Sequence, residues 1–490
     1  MEATKMKPIE FLVQAVSAVI VSCMAIQTGF VMAWPSYNVA NFLSNQTVLG
    51  IPMSSLEISL LGGLPNLGGL LSMPLCGWAF NTIGRKYGTM LFVLPFIISW
   101  AIISLTNNHL LILIAVTIAG AGVAGQNVSN IFLSEIAHTS IRGAMVASTS
   151  CGYLLGILIS FTMGGYLGYM TIVLVHLTTS VLTMLVLAFL PESPVFLLLV
   201  GKEEEAAKSL AFYRQLDAKS KEVAAEIINI KLTINPKLEK MLSVEDQCEK
   251  DPETADQLLE KQEIDDEKED ISAWKQLLKS KSSQSILTII LIVTAVTILM
   301  GGIVLQVYAE PLFSEAVPTM SANQCAIFVA LDSLVATVLC VTMIDKFGRK
   351  SLILTTSIGA GICAGLLGSQ LQFHWAPHWF TVVLIYGYGF MFTAGCAVLP
   401  SVLASEVFLP EVRSLCNSFC YSFVWIFNFI TLFVFHPLVE SLGLGPVFYI
   451  FFFMCFAGSL FIYIYVPETK GLSVDAIQEA FSKQGFRKRK

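Results

Sequence analysis

Twelve apolar runs, each about as long as a bilayer's hydrocarbon core is thick, leave this chain few folds to choose from. No water inside a bilayer can satisfy backbone N–H and C=O groups, so a spanning segment closes its hydrogen bonds internally as a helix of ~20 mainly apolar residues. The runs fall at 11–33, 54–76, 88–105, 109–133, 144–165 and 168–190 in the first part of the chain. They continue at 284–306, 322–343, 352–371, 379–404, 417–438 and 446–466 in the second. The 490 residues are 55% hydrophobic and only 13% charged, far from the composition of a soluble enzyme. An all-α membrane protein with twelve transmembrane helices is the expectation.

Short motifs repeat in register between the two parts. Glu135 and Arg142 stand seven residues apart at the end of an apolar run, and Glu406 and Arg413 repeat that spacing 271 residues later. Gly84-Arg85-Lys86 returns as Gly348-Arg349-Lys350 after 264 residues, and Pro191-Glu192-Ser193 as Pro467-Glu468-Thr469 after 276. Three matches in one order imply two homologous six-helix halves. The expected organisation is an N-terminal half at 1–190, a loop at 191–283, a C-terminal half at 284–466 and a tail at 467–490.

Lys and Arg of the short connections set the orientation. Lys5, Lys7, Arg85, Lys86, Arg142, Lys346, Arg349, Lys350, Arg413 and the Arg487–Lys490 tail all fall on one side, whereas the connections at 34–53, 106–108, 307–321, 372–378 and 439–445 contain none. Both termini and the 191–283 loop are therefore expected in the cytoplasm, with the first run serving as an uncleaved signal anchor. Asn45-Gln46-Thr47 then forms a glycosylation sequon on the outer side. The loop's 203–208 and 223–230 stretches carry the spacing of short amphipathic helices. Glu245 to Asp270 holds thirteen acidic residues and three Lys, a composition that suits a solvated linker or a docking tail. The net charge of −6 comes mainly from this loop and points to no nucleic-acid partner. Ten of the eleven Cys lie in or beside apolar runs and read as small packing residues, with no metal cluster and no cofactor motif.

Polar residues inside the runs mark helix contacts or a cavity. Gln126, Asn127 and Asn130 crowd into run four, where interhelical hydrogen bonding and cavity lining both fit. Asp332 is the one ionisable residue of run eight; an ionisable group at that depth signals function, and a hydrogen bond to a neighbouring helix accounts for it equally well. Gln306, Tyr308 and Glu310 put polar groups at the outer end of run seven. Trp425 and Asn428 share one helical face, which suits a ring with an apolar C–H face and a hydroxyl edge, and suits helix packing as well.

Together these motifs resemble the sugar porter family of the major facilitator superfamily across essentially the whole chain. They are the Gly-Arg-Lys turns, the two Glu–Arg pairs, Pro191-Glu192-Ser193-Pro194 and Pro467-Glu468-Thr469-Lys470-Gly471. Gly29-Phe30-Val31-Met32-Ala33-Trp34-Pro35-Ser36 and Tyr308-Ala309-Glu310 look most like the insect facilitated trehalose transporter-like branch. The resemblance implies a major facilitator fold whose halves rock about a midplane substrate site. It also implies that Glu135, Arg142, Glu406, Arg413, Arg85, Asp345 and Arg349 form a cytoplasmic gate of salt bridges, made while the inner side is shut and broken when it opens.

The chain departs from the family at the gate and in the cavity. Asn81 and Thr82 stand where the family has Asp and Arg, and Val195-Phe196 where it has Arg-Trp. The family's span-five Gln aligns with Ser150, its paired span-seven Gln residues with Thr297 and Ile298, and its span-seven Asn with Ile303. Ser401 replaces a Trp after Pro400, and Val424 replaces an Asn before Trp425. Each sugar hydroxyl left unpaired costs about 1–3 kcal/mol, so the substrate is less polar or differently shaped than glucose. The resulting site comprises Trp425, Asn428, Ser150, Thr297, Tyr308 and Gln126.

The expected activity is facilitative transport of a sugar such as trehalose or glucose, or of a related polyol, across the plasma membrane without covalent chemistry. Proton-linked members of the family use an acidic residue in span one, and none lies between Glu10 and Glu57. Asp332 is the remaining candidate for ion coupling. The alternatives are a transporter-like sensor and a porter for a less polar solute.

Overall fold

A computed structural model describes residues 7–234, 273–472 and 474–484. Twelve helices are long and apolar enough to cross a bilayer. Spans one to six run over Pro8–Leu43, Ser55–Thr82, Arg85–Leu105, His109–Ile136, Arg142–Tyr166 and Tyr169–Ala188. Spans seven to twelve run over Lys281–Leu299, Ala322–Ile344, Arg349–Phe373, His378–Val407, Val412–Leu442 and Leu444–Tyr465. The all-α fold with six spans on either side of the insertion follows the apolar pattern.

Local chemistry sets the helix starts. Ser54 and Glu57 form a reciprocal capping box at span two, which satisfies two otherwise orphaned N–H groups. Asn108 caps span four. Spans three and nine instead begin at Gly84 and Gly348, with φ of 106° and 86°, a region that L side chains avoid.

Three spans depart from unbroken α-helix. Span four breaks at Gly125, between His109–Ala124 and Gln126–Ile136. Run seven, expected to continue to residue 306, stops at Leu299; Gly301 turns the chain at φ 86°, and the short helices Val304–Val307 and Ala309–Ala316 follow. In span ten, Phe392–Cys396 adopts a π-helical turn.

Glycines let the spans cross closely, the usual route to tight packing where lipid is as apolar as the helix surface. A methyl group on Gly68 would run into the backbone carbonyl of Thr117, and one on Gly120 into that of Pro65, so spans two and four meet backbone to backbone. Spans one and five do the same through Gly29 and Gly156.

The insertion forms helices Pro194–Leu199, Glu203–Arg214 and Lys221–Ile234; the last two contain the two amphipathic stretches and extend beyond them. They pack on the first six spans. Arg214 fixes them: its Nη1 donates to the Ile136 carbonyl at 3.0 Å and its Nη2 to Glu226 at 2.6 Å. Helices Ala273–Lys279 and Val474–Gln484 pack on the last six spans. The acidic 245–270 segment and the basic terminus lie outside the described residues.

Replacing Gly120 with Val inserts three carbons where a backbone already stands, and overpacking of this kind costs about 1–3 kcal/mol or more. Gly120→Val is expected to lose most of its monodisperse peak in fluorescence-detected size exclusion; a full-height peak at the wild-type position would contradict the close crossing.

Candidate functional site

The three repeated motifs of each half meet in space at the basic end of the bundle. Arg85 donates Nε to Glu135 Oε2 at 2.8 Å and Nη2 to Glu135 Oε1 at 2.8 Å, a bidentate charge-assisted pair. The guanidinium lies 3.8 Å from the Phe80 ring centroid. Glu192 turns inward and accepts from the backbone N–H groups of Arg85, Lys86 and Ser193 at 2.9, 3.0 and 2.7 Å. Ser193 donates its hydroxyl to Glu135. A Cβ on Gly84 would strike the Glu192 carboxylate, which explains the glycine before each Arg-Lys pair.

The second half repeats the arrangement. Arg349 donates to Glu406 at 2.8 Å, Glu468 accepts from the N–H groups of Arg349 and Lys350 at 2.8 and 3.1 Å, and Thr469 donates to Glu406 at 3.1 Å. Both clusters satisfy helix N-termini with carboxylates, where the helix dipole favours negative charge.

The expected gate is corrected in one respect: its pairs Arg85–Glu135 and Arg349–Glu406 are made while the basic end is open. Glu135 pairs with Arg85 and not with Arg142, which is exposed. Glu406 pairs with Arg349, while Arg413 donates to the Phe408 carbonyl at 3.2 Å. Asp345 sits on the last turn of the Ala322–Phe347 helix, and its side chain lies outside the described residues. The ion pairs join elements of the same half, so rocking the halves apart does not break them. They hold although the basic end is open: spans four and eleven, and spans five and ten, make no extended contact among the described residues, and Gly143, Ser150, Ser401, Ser405 and Ser418 are exposed.

The opposite end is shut. Ser55 on span two donates to Glu440 on span eleven, and the Glu310 N–H donates to Ser36 Oγ at 2.9 Å. Asn323 Nδ2 donates to the Phe161 carbonyl at 2.9 Å. Tyr308 is buried and aims its hydroxyl at the carbonyls of Ile58 and Leu432, at 3.3 and 3.4 Å. It is thus a closure residue between spans two and eleven, not a wall of the cavity.

A cavity of about 310 Å³ opens between spans five, seven, ten and eleven. Asn428 and Thr297 line it as expected. Thr297 spends its hydroxyl proton on the Val293 and Thr294 carbonyls, so toward a solute it acts only as an acceptor. Trp425 is aimed elsewhere, with its ring against Gly69 of span two and its indole Nε1 buried without a partner among the described residues. Ser150 and Gln126 also lie off the wall. Asp332 is half-buried beside Gly389 of span ten, one carboxylate oxygen without a partner, and does not line the cavity.

Sequence reasoning passed over Tyr153, Asn417, Tyr421 and Phe392, all of which line the cavity. Tyr153 follows Ser150 by three residues on one helical face, so the family alignment at Ser150 located the right face and the wrong residue. Tyr153 donates its hydroxyl to Gln306 Oε1 at 2.5 Å, joining the two halves at the deep end. Phe392 and Cys396 reach the cavity through the π-helical turn, which shifts the face that α-helical periodicity predicts.

A duplicated twelve-span bundle, shut at one end and open at the other above a central cavity, defines a membrane transporter of the major facilitator type. The chain belongs to the sugar (and other) transporter family, whose model matches residues 14–481. It is 25% identical over 483 residues to the facilitated trehalose transporter Tret1 of Polypedilum vanderplanki, covering 96% of this chain and 88% of that protein. Tret1 of Culex quinquefasciatus is 24% identical over 476 residues, covering 95% and 85%. Among solved structures, an inward-open conformation of the E. coli xylose transporter XylE superposes with a TM-score of 0.74 at 18% identity, covering 96% of this chain and 99% of that one.

Arg85 and Glu135 are 4% and 12% exposed, and removing one partner of a buried pair costs about 3–5 kcal/mol. Arg85→Ala is expected to lower the melting temperature of the purified protein strongly, and Arg142→Ala, on an exposed side chain, to change stability by under about 0.5 kcal/mol. Equal melting shifts for the two variants would give Arg142 a structural weight equal to that of Arg85.

Proposed function

We propose that the protein carries a neutral sugar or related polyol across the plasma membrane by alternating access, without coupling to an ion gradient. One observation carries the reading: among the described residues the central cavity is walled without a single charged side chain, yet offers the amides of Gln306, Asn417 and Asn428 amid mostly apolar neighbours. Such a wall holds hydroxyls through hydrogen bonds and leaves an ionic solute without a counter-charge. The family and the trehalose transporter relatives support a sugar as cargo. Asp332 lies off the cavity, which supports passive movement.

The basic end faces the cytoplasm in this reading, because the positive-inside rule places Lys and Arg there. The structure then corresponds to the inward-open state. The chain is organised as two rocking halves, 1–190 and 284–466, with the 191–283 loop and the 467–490 tail on the inner side. Asn45, exposed in a turn between spans one and two, is the glycosylation site on the outer face.

Vesicles containing the purified protein are expected to take up radiolabelled trehalose, glucose or sorbitol saturably, at an initial rate that a proton uncoupler leaves unchanged. Absence of both flux and binding for all three would end the sugar reading, and a large drop with uncoupler would return attention to Asp332. Asn428→Ala is expected to raise the half-saturation concentration about five- to tenfold at equal protein amount, the size of one lost hydrogen bond. In insect cells, Asn45→Gln is expected to abolish the gel shift produced by glycosidase; a shift that survives would place the glycan elsewhere.

A further inference from the structure

The cavity carries side-chain amides at two depths, with a mostly apolar stretch between them. At the deep end, Tyr153 is hydrogen-bonded to Gln306, and Asn428 lines the same cavity. Toward the open mouth, span eleven presents Asn417, and its side-chain Oδ1 is buried with no hydrogen-bond partner among the described residues. Eleven residues separate Asn417 from Asn428, which on an α-helix is about 16 Å along the axis and about 20° around it. The two amides therefore share one face of span eleven and are too far apart for a single sugar ring to touch both.

The wall between them is mostly apolar, broken on span eleven by the Tyr421 hydroxyl. Cys420 and Val424 on span eleven face Ala397, Pro400 and Ala404 on span ten. The hydroxyls of Ser401 and Ser405 donate to the Val398 and Val402 carbonyls of their own helix, both at 2.7 Å. They offer a passing solute only acceptor capacity. The Asn417 amide therefore supplies the mouth with hydrogen-bonding capacity that its own helix does not use, and an unpaired buried carbonyl oxygen is unfavourable until a donor reaches it. A hydroxyl is the donor that the deep end already selects for.

We infer that Asn417 forms a second hydroxyl-binding station at the cytoplasmic mouth, taken by the same neutral polyhydroxyl solute as it leaves or enters the deep site. The station rests on the sugar or polyol reading proposed above. Its role is directional: a solute arriving from the cytoplasm meets Asn417 before Asn428, whereas one arriving from outside meets the deep site first. Loss of the amide is felt mainly in binding from the cytoplasmic side.

Right-side-out and inside-out membrane vesicles carrying wild type or Asn417→Leu separate the two directions. The probes are radiolabelled trehalose, glucose and sorbitol, and the same solutes are used for thermal-shift binding to the purified proteins. Half-saturation for entry from the cytoplasmic side is expected to rise about five- to tenfold in Asn417→Leu, and that from the outer side to change less than about twofold. Asn417→Ala, which removes the amide with less apolar bulk, is expected to show the same asymmetry and decides the matter if the leucine variant does not accumulate. Unchanged or equally changed half-saturation from both sides, in a protein that binds and carries a probe, overturns the station and leaves the transport reading intact. Absence of both thermal shift and flux for all three probes in wild type overturns the two together.

Discussion

Each half depends on one carboxylate turned inward at the basic end. Glu192 in the first half and Glu468 in the second accept hydrogen bonds from the opening N–H groups of spans three and nine. An Arg at the start of the same span reaches sideways to Glu135 or Glu406. Three short sequence motifs far apart in each half are thus one physical object. Span three cannot tilt relative to spans four and six without pulling the buried Arg85 guanidinium off Glu135, and a buried charge left unpaired is among the costliest changes a protein can make. The cluster ties spans three, four and six together, and its copy ties spans nine, ten and twelve.

Ties within each half leave the switching to contacts between the halves. At the closed end these include hydrogen bonds to backbone carbonyls, from Tyr308 to spans two and eleven and from Asn323 to span five. Backbone acceptors are indifferent to side-chain identity, so the closure tolerates a varied sequence along spans two and five. Glycines at the seam allow the approach: Gly62 lies under the Tyr308 hydroxyl and Gly69 under the Trp425 ring. Trp425 therefore belongs to the moving seam, and any influence it has on the solute passes through the fit of span two against span eleven.

The cavity shows how a wall can be rich in hydroxyl groups and poor in usable donors. Thr294, Thr297, Ser401 and Ser405 all line it, and each gives its proton to a carbonyl of its own helix. Helical Ser and Thr behave this way because the preceding turn's carbonyl is within reach. Amides have no such local sink, so Gln306, Asn417 and Asn428, with the Tyr421 hydroxyl, carry the donor capacity.

The sequence by itself determined the class of fold, since a bilayer admits only helices or closed barrels and the lengths of the apolar runs choose helices. The internal repeat and the charge asymmetry of the connections were legible for the same reason, because both are one-dimensional patterns. Which Arg meets which Glu was not legible: Glu135 lies seven residues from Arg142 and fifty from Arg85, and the chain's return through span three brings the distant partner closer. Cavity lining escaped for a related reason. Tyr153 and Asn417 lie on faces chosen by how spans five and eleven rotate, and the π-helical turn at Phe392 breaks the periodicity from which a face is read. Helix formation is a local matter of hydrogen bonds closed within four residues, whereas the rotation and pairing of helices is decided by close packing among all twelve, and that decision exists only in the tertiary structure.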